Sequence, residues 1–239
     1  MKKKEYCFRN LNTGEIDYVE VEITSSITAS GQREKRQKPT PECMRRNNIR
    51  VRQKKIRHLI RANFQENDIY LTLTYKRGTR PETLGDVKKH VQRFIKKLRK
   101  QYKSRGYQLK YVGTLERGSK GGYHMHIVLN RIPDAETYMH KTWEHGHVRT
   151  QCLYQEGEFK DLGDYLGKDS SDRWQTTSRN LIKPEEHTKE VKDNGKLLES
   201  PPERRKGFEI VKDSVYSGIN PLTGRAYLKY SQKKITGKQ

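Results

Sequence analysis

The chain has 239 residues, enough for one large domain or for one domain with extensions. Lysine and arginine number 51 against 29 acidic residues, and the formal net charge of +22 predicts a polyanionic partner bound in a salt-dependent way. No apolar run approaches the length of about 18 residues that a membrane span needs, and the three cysteines form neither a zinc-type pair nor a disulfide framework. Composition therefore argues against a membrane protein, and it favours a reducing, cytoplasmic setting with nucleic acid as the leading partner.

The first segment predicts a β-hairpin followed by a linker. Two strand-like runs, residues 6–9 and 16–23, flank the turn sequence NTG at residues 12–14. The polar, basic and Pro-containing stretch that follows is typical of a linker. We therefore assign residues 1–41 to an N-terminal hairpin and basic linker.

Two basic helices are predicted next to the central strands. Residues 42–64 combine many arginines and lysines with a narrow apolar stripe, and residues 83–102 have apolar side chains at helical spacing. Thr83 and Asp86 form a capping box at the start of the second helix. A solvated helix surface explains such charges equally well for one helix alone, but the net charge of the chain favours contact with DNA.

The middle of the chain alternates strands and helices. Residues 69–75 alternate cleanly and predict a central strand, and residues 108–116 and 121–130 predict two strands joined by a short turn. A helix, a strand at residues 147–154 and a helix at residues 159–168 follow. The order β-α-β-β-α-β-α predicts an α+β fold, with a central antiparallel sheet in a ferredoxin-like or RNA-recognition-type layout and helices mainly on one face.

The C-terminal part predicts a polar excursion and a second hairpin. Residues 170–207 are rich in charges and contain a Pro-Pro pair, so we expect an irregular segment. Residues 208–216 and 226–231 are strand-like on either side of a turn. The chain therefore divides into the N-terminal extension, a central domain at residues 42–185, and a terminal part at residues 186–239.

A pair of histidines stands in the apolar run GGYHMHIVLN. Strand geometry turns His124 and His126 to one face, roughly 6.5–7 Å apart along the backbone. Glu116 ends the preceding strand and can lie beside either ring in an antiparallel pair. Two imidazoles and a carboxylate make a mixed site for Mg²⁺ or Mn²⁺ that can also meet a phosphate oxygen. Two surface histidines without a metal are the simpler interpretation of this pair alone.

A tyrosine and a lysine share one face of the helix at residues 159–168. Tyr165 and Lys168 are three residues apart, so both project from the same side. The phenol could attack a phosphodiester, and the lysine could stabilise the charge that develops. Exposed Tyr–Lys pairs at this spacing are common on helices, so the pair carries weight only together with the histidines.

These elements resemble a known family of enzymes. In order and spacing, LTLTY at residues 71–75, HMH at 124–126 and YLGK at 165–168 resemble the three motifs of the HUH endonucleases. These enzymes are the rolling-circle replication initiators of small plasmids, phages and related mobile elements. ANF at residues 62–64 and SRNL at residues 178–181 also look like their bacterial relatives, and the resemblance covers roughly residues 42–185.

The resemblance implies a reaction and a partner. His124, His126 and Glu116 would bind Mn²⁺ or Mg²⁺, which polarises the scissile phosphate of single-stranded DNA or an origin hairpin. Tyr165 would attack and stay joined to the 5′ phosphate, with Lys168 supporting it. The released 3′-OH would then serve a polymerase. The chain has no P-loop sequence, so unwinding would need a host helicase.

Alternatives stay open from the sequence alone. The same chemistry fits a conjugative relaxase or a single-tyrosine transposase, and the charge alone fits a non-catalytic nucleic-acid-binding protein. A second pair, His145 and His147, flanks a glycine at a helix-to-strand turn, which holds imidazoles less firmly than a strand does. Tyr123, Tyr138 and Tyr154 are rival nucleophiles, although alternation turns Tyr123 away from the first histidine pair.

Overall fold

The computed structural model describes residues 1–25, 35–36, 38–118, 121–154, 159–167, 174–192, 195–199 and 201–235. Across these residues, the chain forms four α-helices and eleven β-strands arranged in two antiparallel sheets. The chain divides into a central unit, Asn47–Lys183, and a terminal unit made of Met1–Arg46 and Pro184–Gln239. Within the described part, each helix is too short or too polar to pass through a lipid bilayer.

The strands and helices have the following bounds. The strands are β1 (Lys2–Arg9), β2 (Ile16–Thr24), β3 (Ile69–Thr74), β4 (Tyr111–Arg117), β5 (Tyr123–Leu129), β6 (Val148–Cys152), β7 (Trp174–Thr177), β8 (Glu185–Glu190), β9 (Phe208–Ile210), β10 (Tyr216–Asn220) and β11 (Arg225–Lys234). The helices are α1 (Pro41–Asn63), α2 (Leu84–Ser104), α3 (Ala135–Thr142) and α4 (Lys160–Gly167).

The central sheet has the strand order β6-β3-β5-β4-β7, with antiparallel pairing throughout. The predicted α+β class and the predicted order of strands and helices are confirmed. The predicted capping box is also present, because the backbone N–H of Asp86 donates to Thr83 Oγ1 at 3.2 Å and the Thr83 hydroxyl donates to the Asp86 carboxylate at 2.7 Å. The β4–β5 hairpin therefore lies at the middle of the sheet, where neighbouring strands support it on both sides.

One face of the central sheet packs against α2 and α3. Alternate residues of β3, β4 and β5 point to this face, including Leu71, Leu115 and Met125, and all three are essentially inaccessible to solvent. The apolar stripe of α2, with Phe94 and Leu98, covers them. This is the main core, and burial of its side chains supplies the hydrophobic stabilisation of the unit.

A second helical layer packs on the opposite face. Ile56 and Ile60 of α1 and Leu166 of α4 meet Val112 and Val128 of the sheet in a separate cluster. The sequence predicted helices mainly on one face, whereas the structure has helices on both. The stripe of α1 is narrow and surrounded by arginines and lysines, so its sequence does not indicate which surface it covers.

The terminal unit is a sheet in which both ends of the chain take part. The order of its described strands is β10-β11-β2-β1-β8, and β9 pairs with β11. The predicted N-terminal hairpin is present as β1 and β2. At the C-terminus, β10 and β11 form the hairpin around the turn that was predicted, while β9 pairs separately with β11.

The expectation of an irregular segment at residues 170–207 is wrong in two places. Strand β7 pairs with β4 at one end of the central sheet, and β8 pairs with β1 at one end of the terminal sheet. All six side chains of β8 are exposed, so its composition is polar and shows no alternation. Backbone hydrogen bonds to a neighbouring strand stabilise such a segment, and they leave no signal in the side chains.

Candidate active site

The two histidines of β5 lie on the same face of the sheet, as alternation predicted. Their rings are nearly parallel, with 6.5 Å between centroids and 11° between planes. Tyr123 and Met125 point the other way into the core beneath α2, so Tyr123 is turned away from the histidines. Because β3 and β4 flank β5, side chains from three strands surround the imidazoles.

Glu116 lies beside this pair. It is directly opposite His124 in the pairing of β4 with β5, and opposed residues of an antiparallel pair project to the same face. Its Oε1 atom is 3.3 Å from Nε2 of His126. The side chain of His126 is 8% exposed and that of Glu116 is 19% exposed, so both groups sit in a largely dry environment where electrostatic interactions are strong.

Tyr165 reaches the same point from α4. Its hydroxyl donates to Oε1 of Glu116 at 2.9 Å and lies 3.2 Å from Nε2 of His126. Burial, followed by the hydrogen bond to Glu116 and the charge of that carboxylate, raises the pKa of Tyr165 to about 12. The phenol is therefore neutral at physiological pH and is oriented by its two neighbours.

The donor atoms bear on the predicted metal site. Among the described residues, no group of three His, Cys, Asp or Glu side chains is arranged to hold a metal ion, so the three-ligand site stays a prediction. The chemistry of the donors fits, because His126 Nε2 and Glu116 Oε1 face each other at 3.3 Å. Two ligands at right angles around an ion with bonds of about 2.1 Å lie about 3 Å apart. Lys168, predicted to assist Tyr165, lies outside the described residues.

Turn glycines border the other histidine. A Cβ atom at Gly118 would lie 3.1 Å from His124 Nε2, and one at Gly122 would lie 3.7 Å from the same atom. The Gly122 position is also 3.8 Å from the guanidinium of Arg80, an exposed residue after β3. The glycines of this turn, which the sequence indicated only as flexible, leave space beside His124 and bring a cation close to it.

Tyr70 and Thr72 are functional candidates that sequence reasoning missed. The Tyr70 hydroxyl is 2.8 Å from Nδ1 of His126, and Thr72 Oγ1 is 3.2 Å from it. The Tyr70 ring also stacks on the imidazole, with planes 6° apart, and burial raises the pKa of its phenol far above the usual range. Partners on Nδ1 fix the ring orientation and leave Nε2 for Glu116. Alternation in β3 was the available signal, since both residues share the face of His126.

We expect Tyr70→Phe to weaken binding of Mn²⁺ by about 10- to 100-fold, because His126 loses a partner that orients it. Isothermal titration with Mn²⁺ measures the change. Tyr123→Phe is the matched control, since Tyr123 lies in the opposite core. Equal affinity of Tyr70→Phe and wild type would show that Tyr70 has no role in orienting the imidazole.

Two glycines bring α4 close to α1. A Cβ atom at Gly163 would lie 2.9 Å from Cβ of Arg57, and one at Gly167 would lie 2.7 Å from Cα of Gln53. The amide of Gln53 also donates to the backbone oxygen of Asp164 at 3.2 Å. On the sheet side, Thr114 Oγ1 donates to the oxygen of Leu166 at 3.3 Å. Fastened on both sides, α4 presents Tyr165 to the histidines.

We expect Gly167→Ala to lower the rate of any reaction at Tyr165 by about 100-fold, because the added methyl displaces α4 and misplaces the phenol. Overpacking should also lower the free energy of unfolding by about 1–3 kcal/mol. Single-turnover kinetics and urea denaturation measure the two effects. Gly78→Ala is the control, because a Cβ there meets nothing within 4 Å. An unchanged rate would mean that α4 tolerates a shift.

The rival histidine pair lies elsewhere. His145 stacks on His90 of α2 with 3.8 Å between ring centroids, and it contacts Trp143 at 5.1 Å. Its surroundings are thus the α2 side of the sheet, whereas Tyr165 and Glu116 lie on the other face. His147 is exposed at the start of the strand that follows.

Comparison with known proteins bears on this region. Residues 68–170 match the family model for replication-associated proteins of the ORF2 type. The match extends from the residue before β3 to beyond α4, so it contains Glu116, both histidines of β5 and Tyr165. Searches of curated proteins and of solved structures gave no match. The similarity supports a replication-associated role for the chain.

Proposed function

We propose that this chain is a metal-dependent nicking and joining enzyme that initiates rolling-circle replication. The observation that carries the proposal is the convergence of three side chains, with the Tyr165 hydroxyl 2.9 Å from Glu116 Oε1 and 3.2 Å from His126 Nε2. A nucleophile and two groups able to orient it, at hydrogen-bonding distance, are the arrangement that covalent catalysis requires. The family match adds the connection to DNA replication.

The reaction would transfer a phosphodiester to the enzyme. The phenolic oxygen of Tyr165 forms a bond to the scissile phosphorus, and the bond from that phosphorus to the 3′ oxygen breaks. The phenol loses its proton along the hydrogen bond to Glu116, and the 3′ oxygen takes up a proton to become a free hydroxyl. The 5′ phosphate stays on Tyr165, and attack by a 3′ hydroxyl in the reverse direction rejoins the strand.

A divalent ion, Mn²⁺ or Mg²⁺, would be held by His126, Glu116 and His124, and it would stabilise negative charge on the phosphate oxygens. His126 is oriented for this role by Tyr70 and Thr72, which occupy its Nδ1 side. The low exposure of His126 and Glu116 keeps water away from the reacting groups. Arg80, beside Gly122, adds a positive charge at the end of the site nearest His124.

The partners follow from the products. The substrate is single-stranded DNA of an origin or the loop of an origin hairpin, the free 3′ hydroxyl primes a host polymerase, and a host helicase unwinds the duplex. The charge of +22 supplies the general attraction to DNA.

The test is formation of a covalent adduct. The purified chain is incubated with Mn²⁺ and end-labelled single-stranded DNA from its own replicon, denatured and separated by electrophoresis. We expect a labelled band that resists denaturation and that disappears when EDTA is added first. DNA binding without any adduct, over the whole replicon, would instead favour a non-catalytic binding protein.

A further inference from the structure

A cleft opens between α2 and the turn that joins α3 to β6, away from Tyr165. Its lining includes His90, Arg93, Lys97, Lys100, Trp143 and His145. The proposed reaction uses none of these side chains. The combination of cations and aromatic rings in one concave surface is therefore a separate feature that needs its own explanation.

Most of the positive charge at this cleft is uncompensated. Arg93, Lys96 and Lys100 line it and are exposed, and within the described part of the chain no carboxylate pairs with any of them. Lys97 differs, because it forms an ion pair with Glu144. Three unpaired cations on one side of α2 attract an anion with several negative charges along its length.

The wall of the cleft carries stacked rings. The imidazoles of His90 and His145 are 3.8 Å apart with 16° between planes, and both are half-buried. Burial and the neighbouring cations lower the pKa of both histidines, so the rings are neutral at neutral pH. The Trp143 ring contacts His145 at 5.1 Å and supports the stack from below. Neutral flat rings beside cations are what stacked nucleobases and their phosphates require.

The cleft begins at the same end of the sheet as His124. The indole N–H of Trp143 donates to the oxygen of Thr74 at 3.0 Å, and Thr74 is the partner of His124 in the pairing of β3 with β5. Arg80 follows β3 and approaches the Gly122 position beside His124. A single strand held at His124 can therefore continue past the end of β3 towards His145.

We propose that this cleft binds single-stranded DNA that flanks the cleaved position, with a base stacked on the His90–His145 pair and phosphates on Arg93, Lys96 and Lys100. The inference rests on the proposed function only for the class of ligand. Binding here needs neither the metal nor Tyr165.

The first test measures affinity without metal. Fluorescence anisotropy is recorded with a labelled oligothymidylate over a range of salt concentrations, using the full chain. We expect Arg93→Gln/Lys96→Gln/Lys100→Gln to bind at least about tenfold more weakly and to show a log affinity versus log salt slope smaller by up to about two. The matched control, Lys192→Gln/Lys206→Gln/Lys212→Gln, removes three exposed charges of the terminal unit and should stay within about threefold of wild type. Equal losses in both variants would overturn the proposal.

The second test addresses stacking. His145→Phe keeps a flat ring and should retain affinity, whereas His145→Ser should bind about five- to tenfold more weakly. Thermal melting of both variants checks that the fold is intact. Equal affinities of the Phe and Ser variants, or a loss seen with duplex DNA and absent with single strands, would overturn a site for single-stranded DNA.

Adduct formation separates this proposal from the nicking activity. At saturating DNA with Mn²⁺, the triple-glutamine variant should still form the adduct, and Tyr165→Phe should bind the oligothymidylate like wild type. If the cleft variants lose affinity while wild type forms no adduct, the cleft proposal stands and the nicking proposal fails. If adducts form while the cleft variants bind normally, the reverse holds.

Discussion

Tyr165→Phe is expected to abolish the covalent adduct with single-stranded DNA, with a loss of at least about 10⁴-fold, the scale seen when a covalent nucleophile is removed. The substitution deletes the hydroxyl that lies 2.9 Å from Glu116 and leaves the ring in place. Tyr165 is 38% exposed, so the loss of one hydrogen bond should lower the free energy of unfolding by no more than about 1 kcal/mol. Denaturing electrophoresis of the labelled DNA measures the adduct, and urea denaturation measures stability.

The controls for this experiment are the rival nucleophiles. Tyr154→Phe and Tyr138→Phe remove hydroxyls that lie outside the cluster of Glu116 and His126, and both should form adduct at the wild-type rate. An adduct that persists in Tyr165→Phe would move the nucleophile to another residue. Peptide mapping of the adduct would then identify that residue.

His126→Ala is expected to abolish cleavage, by about 10³-fold or more, while leaving most of the salt-dependent DNA binding in place. The imidazole contacts both Glu116 and Tyr165, so its loss removes a metal ligand and an orienting group together. DNA affinity should change little, because phosphate contacts come from exposed lysines and arginines and scale with salt. Cleavage is followed on labelled DNA, and Mn²⁺ binding is followed by calorimetry.

His147→Ala is the matched control, because it removes an exposed histidine of the other histidine pair. It should cleave DNA and bind Mn²⁺ like wild type. If His147→Ala lost Mn²⁺ binding while His126→Ala kept it, the metal site would have to be reassigned to the second pair. If His126→Ala lost all DNA affinity with its fold intact, the imidazole would be a DNA contact and the metal assignment would be wrong.

Much of the site was predictable because local geometry controls it. A strand places residues two apart on one face, and a short turn makes the next strand antiparallel, so the common face of His124, His126 and Glu116 follows from spacing alone. The buried stripe of α2 follows in the same way from helical periodicity. The fold class and the order of the central elements were accessible for the same reason.

Other features have no local signal. Nothing near Gly167 in the chain indicates that Gln53, more than a hundred residues earlier, lies against it. Strand β8 is entirely exposed, so its side chains give no hint of the hydrogen bonds to β1. The role proposed for Tyr70 depends on which strand lies next to β5, and several pairings of the same strands satisfy the alternation.

The sequence by itself therefore determined the composition of the site and the face on which each strand residue lies, because both depend on covalent spacing and backbone period. Tertiary structure alone decided that α1 and α4 cover that face, that the Tyr165 phenol meets Glu116 and His126, and that a second cluster of rings forms around His90 and His145. These are contacts between segments distant in the chain. Their partners are selected by shape and burial over the whole unit, and no window of sequence contains that information.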